Sequence, residues 1–161
     1  MSKRRADALV ACLETMGHPF ESAADCPWLD TLEQSYRLRL PEPFRSLVRY
    51  YRWPEFDVGP LAAFSNLGVH DDDDLLKAPF RDKPILEWLQ ANGLIQIGRL
   101  ATGSYDPVCL NLAARGARAS IVSIDHEGIL LCRRKVRVTQ LSTSLEELIA
   151  ESADDDQTHG E

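Results

Sequence analysis

Three short apolar runs, LIQIG at residues 94–98, VCLNL at 108–112 and IVSI at 121–124, decide the fold class of this chain. Each run is shorter than a typical helix and is rich in the branched apolar residues that favour strands. The second run alternates regularly, and the first either alternates at Ile95 and Ile97 or is buried on both faces. Because consecutive strands are joined by short connections, we expect antiparallel pairing.

The residues after the third run predict a turn and a fourth strand. DHEG at 125–128 is typical of a hairpin turn, and residues 129–138 predict the strand. The basic segment RRKVR at 133–137 would then protect a sheet edge. This segment lacks the interleaved aromatic residues that are typical of nucleic-acid sites. His126 and its acidic neighbours do not predict a catalytic centre, because adjacent residues of an extended chain point to opposite faces.

Helical periodicity lies on both sides of these strands. Apolar spacing and capping signals predict helices over about residues 4–16, 27–36, 43–53, 83–92 and 143–150. Short strands are predicted around the turn at Gly59 and Pro60. This order predicts one α+β domain over residues 1–150, with N-terminal helices, a central, mostly antiparallel sheet of about four to six strands and a C-terminal helix. Residues 151–161 hold five acidic residues and no Lys or Arg, which predicts an acidic disordered tail.

Charge and composition narrow the class of protein. The chain has 161 residues and a formal net charge of −7, most of which lies in residues 151–161. The nearly neutral remainder argues against a nucleic-acid-binding surface. No run approaches the roughly 20 apolar residues of a membrane span, and we expect no signal peptide. Four cysteines without metal or disulfide spacing predict reduced thiols, so we expect a cytoplasmic protein without a membrane or nucleic-acid partner.

The run of four aspartates at residues 71–74 is the most conspicuous polar feature. Three interpretations stay open: a solvated loop or helix start, an acidic edge that binds a protein, and a metal site. The run lacks the alternating ligands, the turn glycine and the later Glu of a calcium loop. The sequence also lacks a nucleophile elbow, a phosphate loop and a helical His pair. We therefore predict no catalytic residues, no metal and no cofactor.

Three sequence blocks resemble those of a known superfamily. LPEPFRSL at 40–47 looks like LP-x-x-[YF]-R-x-[LF]. LIQIG at 94–98 with GSYDPVCLNL at 103–112 is similar to IPIG followed by GGGD-x-x-CLDL. DHE at 125–127 and SLEELI at 144–149 resemble DHE and SFEEFL. In this order the blocks resemble the SUKH superfamily, which joins fungal cell-wall-synthesis regulators of the Smi/Knr type to many bacterial proteins.

The resemblance implies a SUKH-like α+β fold and no known catalysis. It also implies that the chain is a bacterial immunity protein, which binds and neutralises a cognate polymorphic toxin, often a nuclease, inside the producing cell. The alternative is a non-enzymatic regulatory scaffold, as the fungal relatives suggest. In either case the expected partner is a protein, and we expect a monomer or a weak homodimer.

The immunity interpretation predicts a protein-binding surface. An acidic surface would steer the chain onto the basic cleft of a nuclease, and aromatic side chains would anchor the complex. Trp53, Phe56 and Tyr105 could each serve as anchors or belong to the core. The predicted protein-binding residues are Glu55, Asp57, Asp71, Asp72, Asp73, Asp74, Tyr105 and Asp106.

Overall fold

Helices and short strands alternate along residues 2–68, 72–113 and 118–158, the part of the chain that the computed structural model describes. The helices are α1 (Ser2–Thr15), α2 (Leu29–Tyr36), α3 (Phe44–Tyr50), α4 (Lys83–Ala91), α5 (His126–Leu130) and α6 (Leu145–Thr158), with a 3-10 helix at Ala78–Phe80. The strands are β1 (Glu21–Ser22), β2 (Tyr51–Arg52), β3 (Phe56–Val58), β4 (Leu61–Ala63), β5 (Leu94–Leu100), β6 (Pro107–Asn111), β7 (Ser120–Ile124) and β8 (Val138–Ser142). The predicted single α+β domain with an antiparallel sheet is confirmed.

The main sheet has six strands in the order in which they occur in the chain, β3 to β8, and every neighbouring pair is antiparallel. Strands β1 and β2 form a separate antiparallel pair. This meander follows from the short connections, because antiparallel neighbours need only a turn between them. The described helices are all too short or too polar to cross a bilayer.

The central strands are buried on both faces, which explains why their sequences are continuous apolar runs. Ile95 and Leu110 belong to a core shared with α1, α2, α3 and α6. Leu94, Cys109 and Val122 belong to a second core with α4 and α5. Since neighbouring residues of a strand point to opposite faces, the two cores lie on the two sides of the sheet. Each fully buried aliphatic side chain contributes roughly 1.5–3 kcal/mol.

A bulge near the end of β5 sets the direction of the residues that follow. The register with β6 shifts between Gln96 and Gly98, and Gln96 Nε2 donates a hydrogen bond to the Gly98 carbonyl at 3.1 Å. A Cβ atom on Gly98 would lie 2.1 Å from the carbonyl oxygen of Ala62 on β4. Only glycine allows so close an approach of the two backbones. Arg99, the next residue, is therefore held at a fixed position on the end of the sheet.

The hairpin turn predicted at residues 125–128 and the strand predicted at residues 129–138 are wrong. Residues 126–130 form α5, and the strand begins only at Val138. A short apolar run fits a helix or a strand equally well by periodicity, and here Ile129 is buried against α4 in the second core. Cys132, with φ of 51°, lies just beyond this helix. The basic residues 133–137 consequently precede the outer strand β8 instead of lying on it.

The predicted disordered tail is a helix over its described part. Helix α6 continues to Thr158, whereas the sequence interpretation ended it at residue 150. As predicted, Ser144 caps the helix start, where its Oγ accepts a hydrogen bond from the Glu147 N–H at 3.1 Å. Ser152 is buried beside Gly59, in the turn between β3 and β4. Extending an existing helix adds one hydrogen bond per residue, and the buried Ser152 packs α6 against the β3–β4 turn beyond the predicted helix end.

Candidate protein-binding site

A cavity of about 340 Å³ opens at one end of the main sheet, where β5 ends, β6 begins and β7 ends. The antiparallel order brings these three strand ends together, although they lie far apart in the sequence. Polar groups and apolar groups share the cavity wall. The lining residues are Ala78, Pro79, Arg81, Asp82, Ile85, Gln96, Arg99, Tyr105, Pro107, His126 and Leu130.

Arg99 is the central cation of this end of the sheet. Its Nη1 donates to Asp73 Oδ1 at 3.1 Å, and its side chain is 25% exposed. Its Cζ atom lies 5.3 Å from the centre of the Phe64 ring and 5.9 Å from the centre of the Tyr105 ring. A guanidinium at these distances is attracted by the aromatic faces. Arg99 therefore links the acidic segment to the exposed aromatic residue.

Glu55 and Asp57 lie on the acidic side of Arg99. Burial raises the pKa of the Glu55 carboxyl, and the negative charges of Asp73 and Asp57 and a hydrogen bond with Asp73 raise it further. Arg99 acts in the opposite direction. The direction of the shift means that the ionised form of Glu55 is disfavoured in the folded protein. An additional cation from outside would relieve this repulsion.

Tyr105 stands at the rim of the cavity with 71% of its surface exposed. Besides its contact with Arg99, its ring meets the ring of His126 edge-on, with 6.1 Å between the ring centres. The loop that carries it is fixed from both sides of the tyrosine. The Ser104 hydroxyl accepts a hydrogen bond from the Asp106 N–H at 3.1 Å, and the Leu100 N–H donates to the Asp106 carbonyl at 3.2 Å.

Asp106 and His126 form a close pair beneath Tyr105. His126 Nδ1 and Asp106 Oδ1 are 2.5 Å apart, and the same oxygen accepts the His126 backbone N–H at 3.1 Å. Burial alone would raise the pKa of Asp106, but the hydrogen bonds from His126, the charge of His126 and the Ser104 hydroxyl hold that pKa below its usual value. Because Nδ1 faces Asp106, Nε2 is the ring nitrogen left to other partners.

The described aspartates of the run at residues 71–74 have different partners and different exposure. Asp72 pairs with Lys77 at 2.9 Å and with Arg81 at 3.2 Å, and Asp73 pairs with Arg99. Asp74 is fully buried, where it accepts hydrogen bonds from the Ser65 hydroxyl and the Leu76 N–H, each at 3.0 Å. Asp74 therefore does not belong to any surface, and Asp71 lies outside the described residues.

The structure brings the other predicted residues together on one surface. Glu55 interacts with the charges of Asp57, Asp73 and Arg99, and Asp73 pairs with Arg99. Arg99 contacts Tyr105, which lies beside Asp106. The sequence reasoning missed Arg81, Arg99 and His126. His126 was set aside because its sequence neighbours point away from it, but its true partner is 20 residues earlier in the chain. Phe56 is partly buried, and Trp53 belongs to the core.

No protein-family model matches this chain, and no curated protein matches it either. Within the described residues, no three His, Cys, Asp or Glu side chains converge as metal ligands. The described residues that line the cavity include no Ser, Thr, Cys or Lys that could act as a nucleophile beside His126. The surface offers an exposed aromatic ring, a cavity of mixed polar and apolar lining and a set of paired charges.

Proposed function

We propose that this chain is a bacterial immunity protein of the SUKH type, which binds a cognate toxin in the cytoplasm of the producing cell and covers its active site without catalysing a reaction. The observation that carries the proposal is Tyr105. It is the most exposed large apolar side chain among the described residues, and Arg99 and His126 hold its ring in place. A tyrosine side chain has few rotatable bonds and so loses little conformational entropy on binding, and tyrosine is among the residues that dominate binding energy at interfaces.

The charges next to Tyr105 favour a basic partner. Asp73 already balances Arg99, whereas Glu55 and Asp57 add negative charge beside that pair. A lysine or arginine of the partner would lower the repulsion that raises the pKa of Glu55. An enzyme that cuts nucleic acid needs a basic cleft, so this surface suits a nuclease toxin and would speed their association.

The residues that resemble the SUKH pattern support the proposal that this surface binds the partner. Asp106 and His126, which come from two different SUKH-like blocks, pair with each other. Ser104 and Tyr105 stand where the family pattern has glycines, and Tyr105 is the residue that projects from the surface. Loops on a rigid scaffold commonly carry the variable binding residues. We infer that the shared residues build the scaffold and that Tyr105 makes the contact that is specific to this chain.

The test is protection of a bacterial host that expresses the toxin domain encoded beside this gene. We expect the wild-type chain to protect, and Tyr105→Ala to lose tenfold or more in affinity, because truncation of a central aromatic anchor costs about 2 kcal/mol. The matched control is Tyr50→Ala. The Tyr50 ring is likewise held by cations, with Lys3 Nζ at 5.5 Å and Arg49 Cζ at 5.3 Å, but it lies on α3.

Two results would contradict the proposal. One is equal loss of affinity in the two tyrosine variants, which would place the interface elsewhere. The other is a wild-type chain that neither binds nor inhibits the neighbouring toxin, while it captures several endogenous proteins through Tyr105. That second result would favour the regulatory scaffold.

A further inference from the structure

We propose that the cavity beside Tyr105 binds a monoanionic carboxylate that is attached to a short apolar group. This inference goes beyond the proposed function, because binding of the carboxylate does not require the partner protein. It rests on three features of the described residues: the cations in the cavity wall, the position of the acids that hold them and the apolar remainder of the wall.

Three cationic or potentially cationic side chains line the cavity: Arg81, Arg99 and His126. Asp82 is the one carboxylate among the described lining residues. Each of these cations pairs with an aspartate that is not part of that lining: Arg81 with Asp72, Arg99 with Asp73, and His126 with Asp106.

The acids orient the cations without consuming their hydrogen-bonding capacity. A guanidinium has five N–H donors, and within the described residues the Arg99 side chain gives one of them to Asp73. His126 uses Nδ1 for Asp106, which leaves Nε2. Arg81 uses Nη2 for the carbonyl of Asp72. Donors fixed in this way are suited to a carboxylate, which accepts two parallel N–H bonds from one arginine.

The charge balance favours one negative charge on the ligand over two. Three cations at most face six nearby carboxylates: those of Asp72, Asp73, Asp82 and Asp106, and those of Glu55 and Asp57 beside the Asp73–Arg99 pair. A phosphate dianion would be poorly compensated in such a setting, whereas a carboxylate adds a single charge next to oriented donors. The acids therefore disfavour a dianion more strongly than a monoanion, and binding of the carboxylate depends on the free N–H donors of the oriented cations.

The rest of the wall determines what the carboxylate is attached to. Pro79, Ile85, Pro107 and Leu130 give the cavity an apolar wall. Its volume of about 340 Å³ lies at the lower end of the range typical of small-molecule sites. A ligand of about ten heavy atoms with one carboxylate would fit in it, either as a free organic acid or as the acidic side chain and neighbouring atoms of a bound protein.

The experiment measures binding of 3-phenylpropionate to the full chain by NMR titration or calorimetry. We expect a Kd of about 1 mM, as is usual for a ligand of this size. The neutral 3-phenylpropionamide, and phenylphosphonate at a pH high enough to make it a dianion, should each bind at least tenfold more weakly. Arg99→Met and Arg99→Lys should both lose tenfold or more, because lysine keeps the charge but not the planar fork. Arg49→Met is the matched control, since Arg49 pairs with Asp25 away from the cavity, and it should bind as wild type does.

Equal binding of the acid and its amide would overturn the proposal, as would unchanged affinity in folded Arg99→Lys protein. Circular dichroism verifies that each variant is folded, and Arg81→Met replaces any Arg99 variant that is not. If saturating 3-phenylpropionate displaces the toxin, the carboxylate that occupies the cavity in the complex is an acidic side chain of the partner. Binding without displacement identifies a free organic acid. A wild-type chain that neutralises its toxin but does not bind 3-phenylpropionate refutes this inference alone.

Discussion

The replacement Gly98→Ala tests the close approach of β4 and β5 that positions Arg99. The new Cβ would lie 2.1 Å from the Ala62 carbonyl oxygen, and ordinary contact begins at 3.4 Å, so the strands must separate by about 1.3 Å. That shift breaks the neighbouring hydrogen bond from the Phe64 N–H to the Ile97 carbonyl, now 3.0 Å long. Overpacking costs about 1–3 kcal/mol and each lost hydrogen bond about 1 kcal/mol, so we expect the free energy of unfolding to fall by about 3 kcal/mol.

The assay is equilibrium unfolding in urea. With an m-value of about 2 kcal/mol/M, the midpoint should fall by about 1.5 M while m stays the same. The control Gly17→Ala has φ of 91° and no atom within 4 Å of the new Cβ, so it carries only the strain of the left-handed conformation, about 1 kcal/mol. If Gly98→Ala unfolds at or above the midpoint of the Gly17→Ala control, the backbone contact does not constrain this part of the sheet.

Three further predictions concern titrating and reactive groups. Burial and like charges raise the pKa of Glu55, so the ionised carboxylate destabilises the folded protein at pH 7. Glu55→Gln should therefore unfold at a higher urea concentration than wild type at pH 7. The gain should vanish below about pH 4, where Glu55 of the wild type is protonated in both the folded and the unfolded protein. Burial and the hydrogen bond to Asp7 raise the pKa of Tyr51 to about 12, so an absorbance titration should lose a transition near that pH in Tyr51→Phe. The exposed thiol of Cys132 should react with a disulfide reagent in the native protein, whereas the fully buried Cys109, whose pKa is raised by burial, should react only after unfolding.

The central strands were predictable because their pattern is local. The runs at 94–98, 108–112 and 121–124 each carry enough branched apolar residues to indicate a strand, and all three are strands in the structure. The same local reasoning failed at 129–138 and beyond residue 150. In those segments a tertiary contact decides the outcome: Ile129 packs onto α4, and Ser152 packs beside Gly59. Such contacts override weak local preferences.

The candidate site was only partly predictable because its residues are distant in sequence. Tyr105 and Asp106 were predicted as binding residues in a loop that resembles the family pattern, but nothing in the sequence indicates that Asp106 pairs with His126. Arg99 follows an apolar strand and looks like an ordinary surface cation. Its contacts with Asp73 and Tyr105 exist only because the antiparallel order gathers three strand ends at one point. Strand order, rather than residue type, was the missing information.

The division of the acidic run changes how electrostatic steering has to be tested. In the sequence, Asp71–Asp74 reads as one block of negative charge, and replacing all four with Asn looks like a clean charge test. In the structure Asp73 orients Arg99 and Asp74 is buried with two donors, so the quadruple variant would disturb the cavity and the fold as well as the charge. Replacement of Glu55 and Asp57 with Gln and Asn removes charge with little change in packing, because both residues are exposed and the replacements have nearly the same shape. If these charges steer the partner, the double variant should associate more slowly, with a weaker dependence on salt and an unchanged dissociation rate. An unchanged association rate would assign binding to Tyr105 and the cavity alone.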